Sequence, residues 1–189
     1  MKLLFLLLAI NISLNSIGQL TKGIWLLGGS GKLYSYSGTY RTTAFYNTSK
    51  NLDVEISPSI GYFLIDKFAL GLRPAFSWIK GNIDNGAFIT NVKRFSLGPF
   101  ARYYFLNTEK PYNIVADISY QYGTYAFTNQ KGTIKTLSIM AGPVIYFNTS
   151  IGLEFLLGYS SKIEDVEAGY KDTRKGFQIG LGFQIHLEK

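Results

Sequence analysis

"FALGLRPAFSW", residues 68–78, alternates from end to end. Phe68, Leu70, Leu72, Pro74, Phe76 and Trp78 are large and apolar; Ala69, Gly71, Arg73, Ala75 and Ser77 between them are small, with one charge. A two-residue period puts the two sets on opposite faces of a β-strand. The small set decides which face is inside. A sheet face turned to water is richer in Lys, Glu and Thr, whereas the interior of a narrow barrel is barely wide enough for side chains. The large set must then meet an apolar solvent.

The pattern recurs through 54–64 (Val54, Ile56, Pro58, Ile60, Tyr62, Leu64), 95–105, 114–122, 137–147, 151–159 and 177–187, and less regularly through 23–36. With 68–78 that makes eight strands, an even count that lets a meander close on itself. The second face stays small elsewhere: Ser96, Gly98, Phe100, Arg102 and Tyr104; Gly152, Glu154, Leu156 and Gly158; Gln178, Gly180, Gly182, Gln184 and His186. A secreted lipocalin-like barrel has the same strand count with its large set inward, and this second face argues against it. Phe68 to Trp78 spans about 33 Å of strand, or about 25 Å of depth at a tilt of roughly 40°, which matches the apolar band of a membrane barrel. The expected fold is all-β: an eight-stranded antiparallel up-and-down transmembrane β-barrel.

Phe68, Trp78, Tyr62, Tyr103 and Phe147 fall where aromatic girdles are expected. Pro58, Pro99 and Pro143 each precede one of them by four residues, and Pro74 lies midway along its strand. That places the prolines near the bilayer midplane on the lipid face. Gly98 and Gly142, just before two of them, predict local bulges. The prolines also recur at a spacing near that of propeller blades, but each interval holds two strands rather than a blade's four.

The ends and the composition set the compartment. Met1-Lys2, the apolar run Leu3–Ile10 and the polar "NISLNSIGQ" have the three-part form of a secretory signal peptide, residues 1–18, followed by a barrel domain over 19–189. There is no Cys, so no disulfide and no Cys-based metal site. The net charge is +7, but the positive residues are scattered and the chain is exported, which argues against nucleic acid. Connections near 66, at 107–111 and at 148–150 are expected to be short periplasmic turns; 37–51, 80–90, 128–134 and 161–175 are expected to be longer outer loops.

The signal peptide, "KGIWLLGGS" (22–30) as an opening strand, and the Gly-Pro strands ending in aromatics carry a resemblance. The chain resembles the small outer-membrane β-barrels of Gram-negative bacteria, the OmpA/OmpX-like group, over its whole mature length. The resemblance implies an outer-membrane location and handling by the barrel-assembly machinery. That machinery often reads a terminal aromatic, whereas "EK" closes this chain.

The lumen-facing set carries Glu55, Arg73, Arg94, Arg102, Asp117 and Glu154. Charges inside a narrow barrel must pair, because unpaired burial costs several kcal/mol. They predict a structural salt-bridge plug; the alternative is a narrow, gated path for ions or small solutes. An outer-membrane lipid-modifying enzyme would need a nucleophile beside a base. The sole histidine, His186, lies near the periplasmic rim, and Ser96, Ser119 and Ser138 face the lumen without an assignable base, so no enzyme is expected. No cofactor and no metal site is expected: no ligand spacing of zinc type occurs, and "SKIEDVEAGYKDTRK" (161–175) matches no calcium loop and reads as solvated. "GGSGK" (28–32) lacks the spacing of a phosphate loop. The function expected is structural or adhesive, as a monomer in contact with outer-membrane lipid and lipopolysaccharide. The outer loops, the first rich in Tyr, Thr and Ser, are the candidate surface for an extracellular ligand.

Overall fold

The computed structural model describes residues 20–41, 46–83, 88–107, 110–127, 130–166 and 171–187. The expected signal peptide, the domain start at 19 and the closing "EK" lie outside the described residues. The strands are β1 (Trp25–Arg41), β2 (Tyr46–Ile65), β3 (Phe68–Ile83), β4 (Phe88–Tyr104), β5 (Tyr112–Phe127), β6 (Gln130–Tyr146), β7 (Ile151–Val166) and β8 (Lys171–Leu187). They pair in sequence order, antiparallel, and β8 returns to β1 to close the barrel.

Register fixes the shape. Stepping from partner to partner round the wall runs through Leu26, Gly61, Gly71, Phe100, Ser119, Ser138, Ser160 and Gly176. Continuing the β1–β8 register returns the path to Tyr36, ten residues above Leu26. Eight strands with that stagger tilt by about 40° and enclose a backbone radius of about 8 Å.

The large set faces out on every strand. Leu72, Leu97, Ile118, Ile139, Phe155 and Leu181 are all exposed. They form a continuous apolar belt far larger than a water-soluble monomer exposes. Rings edge the belt at both ends. At the lower end Trp25 meets Tyr62 with centroids 5.1 Å apart, and Tyr103 meets Phe105 at 5.1 Å. At the upper end Phe76 lies 6.4 Å from Trp78 and 5.1 Å from Phe95, and Tyr159 lies 5.8 Å from Phe177. A ring of eight paired strands, apolar outside and girdled by aromatics, is a transmembrane barrel.

Two expectations fail. The outer connections are not long loops. β1 stays paired with β2 up to Arg41 opposite Tyr46, β3 with β4 up to Ile83 opposite Phe88, and β5 with β6 up to Phe127 opposite Gln130. Most of 37–51, 80–90, 128–134 and 161–175 is therefore strand, and only 42–45, 84–87, 128–129 and 167–170 remain outside the described residues. The apolar alternation stops where the bilayer stops, but a hairpin ladder needs no lipid to continue. The longest connection with described residues, 105–111, lies at the opposite end.

The expected bulges are also absent. The β4–β5 ladder runs to Leu97 opposite Tyr122 and resumes at Phe100 opposite Ser119 in unchanged register. The β6–β7 ladder likewise skips from Ala141 opposite Leu157 to Val144 opposite Glu154. Pro99 and Pro143 each remain in register on one side, with Leu72 and Ile114. A proline lacks one donor, and in an antiparallel sheet that donor points to one neighbour only, so one ladder is interrupted and the other survives. Gly98 and Gly142 answer a different need: a Cβ there would collide with the carbonyl oxygens of Tyr120 and Phe155.

Candidate functional site

The inward set fills the lumen in three levels. The lowest is apolar and aromatic. Leu20, Leu26, Phe63, Tyr104, Val115, Val144 and Tyr146 are buried there. Residues ahead of β1 tuck beneath the wall: the Leu20 carbonyl accepts from Lys67 N–H at 2.7 Å, and Lys22 N–H donates to Asp66 Oδ1 at 2.8 Å. His186 is enclosed by the rings of Phe63, Tyr104 and Tyr146 at 5.6, 6.3 and 5.7 Å, and neither ring nitrogen has a hydrogen-bond partner among the described residues. No described serine hydroxyl is therefore hydrogen-bonded to it.

The middle level is ionic. Arg73 of β3 donates to both oxygens of Asp117 on β5, at 2.8 and 2.7 Å. Arg102 of β4 donates through Nε to Asp117 Oδ2 at 3.0 Å, and through Nη1 and Nη2 to Glu154 of β7 at 2.7 and 3.3 Å. Gln184 of β8 joins it, accepting from Arg102 at 3.1 Å and Tyr104 at 2.6 Å and donating to Tyr146 at 3.2 Å. Phe100 stacks under Arg73 with the guanidinium carbon 4.5 Å from the ring centre. Two cations face two carboxylates, so the level is neutral. Every strand from β3 to β8 contributes a side chain to it.

The upper level is open. A cavity of ≈ 560 Å³ lies above Arg73 and Asp117, lined by serines including Ser57, Ser77, Ser119 and Ser160, with Lys32 and Lys162. Gln178 donates to Ser138 Oγ at 2.6 Å and accepts from Lys32 at 3.1 Å. Lys32 Nζ also reaches Glu55 Oε1 at 3.0 Å, and Lys162 Nζ stands 3.7 Å from Glu55 Oε2. Ile79, Val92 and Tyr125 cluster at the height of Arg94 on β3, β4 and β5. Arg94 pairs with Glu164 there at 2.9 Å.

Of the six charges read from the sequence, Arg73, Arg102, Asp117 and Glu154 meet in one network, whereas Glu55 and Arg94 belong to separate pairs. Glu164 is a correction: it is not in a solvated loop but buried on β7. Gln184, which joins that network, and Lys32, Lys162 and Gln178, which meet Glu55 and Ser138 above it, were missed as site residues. Lys32 sits in the glycine-rich β1, where the alternation is faintest, and glutamine carries no charge to flag it. Among the described residues no cluster of three or more His, Asp or Glu side chains is placed to hold a metal.

No protein-family model and no curated protein matches the sequence. Among solved structures, the chain is similar to the N-terminal β-barrel domain of Pseudomonas aeruginosa OprF, with 17% identity and a TM-score of 0.43 over 89% of this chain and 100% of that one. It is also similar to a major outer membrane protein from Thermus thermophilus, with 11% identity and a TM-score of 0.40 over 87% of this chain and 99% of that one. These overlaps are loose, and the membrane-spanning reading rests on the chain's own apolar belt.

Proposed function

We propose that the chain is an integral outer-membrane barrel that acts as a monomer in a structural and surface-contact role, closed to flow through its lumen. The observation that carries this is the stacking of a neutral ion network on an apolar plug in the lower half. Ions crossing it would have to part Arg102 from Glu154 and then pass Phe63, Tyr104 and Leu20. Steady single-channel steps from the wild-type barrel in a planar bilayer would refute closure and favour the channel reading; a silent bilayer is expected. Heat-modifiable gel mobility of the detergent-folded protein checks the membrane barrel itself, and a chain that is soluble without detergent would sink it.

The partners follow from the outer rim. Lys80 is exposed on β3 two residues beyond Trp78, Lys93 is exposed on β4 opposite Trp78, and Lys131 and Lys175 are exposed on β6 and β8. Exposed ammonium groups at that height suit the phosphates of lipopolysaccharide and of outer-membrane lipid. An extracellular ligand would meet the hairpin extensions rather than long loops. The resemblance to the OmpA/OmpX-like group supports delivery by the barrel-assembly machinery. A structural role for His186 is favoured over catalysis by its aromatic enclosure, and no lipid hydrolysis by the purified barrel is expected.

A further inference from the structure

The wall is not closed to its full height. β1 and β8 pair from Trp25 opposite Leu187 to Gly31 opposite Leu181, and above that the described residues of the two strands form no further pair. Each keeps its other neighbour, β1 with β2 up to Arg41 and β8 with β7 back to Lys171. The gap begins inside the apolar belt. Ile179 and Phe177, opposite Leu157 and Tyr159 of β7, flank it, and at 71% and 86% they are the most exposed large apolar residues described. At its lower end the opening has room: among the described residues, a Cβ at Gly31 or Gly176 would meet no atom within 4 Å. The cavity reaches it, because Ser30, Lys32, Gly176 and the outward-facing Phe177 all line that space. Lumen and lipid face therefore meet at this seam.

Unpaired backbone groups at apolar depth are costly unless something polar reaches them. Among the residues whose side chains are described, Lys32 Nζ donates across the gap to Gln178 Oε1 at 3.1 Å. Lys32 and Lys162 line the cavity near the seam with Glu55 and Asp53, and Lys175 is exposed at its edge. Lys32 and Lys162 share Glu55, and Asp53 accepts from Ser77 at 3.2 Å. The floor beneath is shut by the Arg73–Asp117 pair.

We propose that the gap between upper β1 and β8 is a lateral port through which the cavity takes an anionic single-chain amphiphile from the outer half of the bilayer. The head lies among Lys32, Lys162 and the serine hydroxyls; the chain lies out along Phe177 and Ile179. A cavity with cations and hydroxyls at one end and an apolar exit at the other matches such a molecule at both ends. A strand from a second copy would pair with the free edges but leave the two ammonium groups that share Glu55, and the serine hydroxyls, without a further partner. A fatty carboxylate and a lysophospholipid phosphate share the required chemistry. The proposal rests on the membrane-barrel reading.

The chain has no cysteine, so Leu33→Cys with Ile179→Cys makes a seam that oxidation closes and reduction reopens. The two positions oppose each other when the β1–β8 register runs two residues further. The barrel is placed in phosphatidylcholine nanodiscs and titrated with laurate, with lauroyl lysophosphatidate and with uncharged dodecanol, and bound molecules are counted by native mass spectrometry. One anionic amphiphile per reduced barrel is expected, held about tenfold or more tighter than dodecanol and lost about tenfold on oxidation. Lys32→Gln weakens it several-fold, and the tighter of the two anions identifies the head group. Equal retention by oxidised and reduced barrels, no preference for the anion, or a dimer joined through the seam overturns the proposal. Should the cysteine pair not fold, wild type against Lys32→Gln decides: an absent anion preference, or one that survives the substitution, overturns it. Heat-modifiable mobility is read on the same sample. A barrel that shifts but retains no amphiphile sinks the port alone; a chain that does not shift sinks both readings.

Discussion

Arg102→Gln is the substitution that tests the ionic level most directly. Arg102 is 4% exposed and holds Glu154, itself 2% exposed, through two nitrogens, and Asp117 through Nε. Asp117 keeps its two bonds from Arg73 when Arg102 is shortened. Glu154 keeps no cation, since among the described residues its recorded ion pair is with Arg102. A buried carboxylate stripped of its partner costs about 3–5 kcal/mol. Arg102→Gln with Glu154→Gln removes both charges, and two amides can bond to one another, so the double variant should lie within about 1 kcal/mol of wild type. The implied coupling is about 2–4 kcal/mol. Urea unfolding in phosphatidylcholine vesicles, followed by the fluorescence of Trp25 and Trp78, reads all four corners of the cycle. Lys135→Gln is the control: its pair with Asp165 spans 3.9 Å between exposed groups, and its loss should shift stability by less than about 0.5 kcal/mol. A single Arg102→Gln within about 1 kcal/mol of wild type, or a double variant no better than the single, would refute the network as a coupled unit. Both variants should stay silent in planar bilayers, because the plug beneath is untouched.

Three further outcomes follow from the wall. Leu72→Arg, near mid-belt opposite Pro99, should cost about 2–4 kcal/mol in vesicles while Tyr62→Arg at the lower girdle costs about 1 or less; a depth-independent result would argue against a bilayer around the belt. Gly98→Val should sharply lower the folded fraction on gels, because its Cβ meets the Tyr120 carbonyl in the adjoining strand, and a full yield would show that the two strands do not approach closely. His186→Phe should leave unfolding within about 1 kcal/mol of wild type or raise it, since it replaces an unpartnered buried ring by an apolar one of similar shape; a loss above about 2 kcal/mol would mean that the imidazole has a polar partner.

The barrel was legible because one physical pattern, alternation over a two-residue period, repeats in every strand. It was legible only to the height of the bilayer. Beyond Trp78 the outward residues turn to Lys80 and Asn82 while pairing continues to Ile83 opposite Phe88, and polar hairpin and polar loop look alike in composition. The six lumen charges were visible as exceptions on a small face, but their grouping was not. Arg94 pairs with Glu164 of β7, which is distant in sequence, and only the stagger of the wall decides which inward residues share a level. The prolines were expected to sit at bulges, and the register runs through them unshifted. Proline with a preceding glycine suggests a bulge in isolation, whereas the glycine reports how near the neighbouring carbonyl lies.

The lower lumen is better understood as the device that closes the barrel than as a blocked pore. Seven of the eight strand pairs are hairpins of neighbouring strands, but β1 and β8 must meet across the whole chain, the pairing with the largest loop entropy to overcome. Their ladder, Trp25 to Gly31 against Leu187 to Leu181, is short. Gln184 and His186 lie on β8 within it, opposite Gly28 and Leu26. Closing that ladder therefore inserts Gln184 among Arg102, Tyr104 and Tyr146, and His186 among three rings, so cross-lumen bonds reinforce the pairing. Above Gly31, among the residues whose side chains are described, Lys32 to Gln178 links the two strands, and there the ladder stops. The filled half and the paired half of the seam coincide because each holds the other in place, and the upper seam is free to open for the same reason.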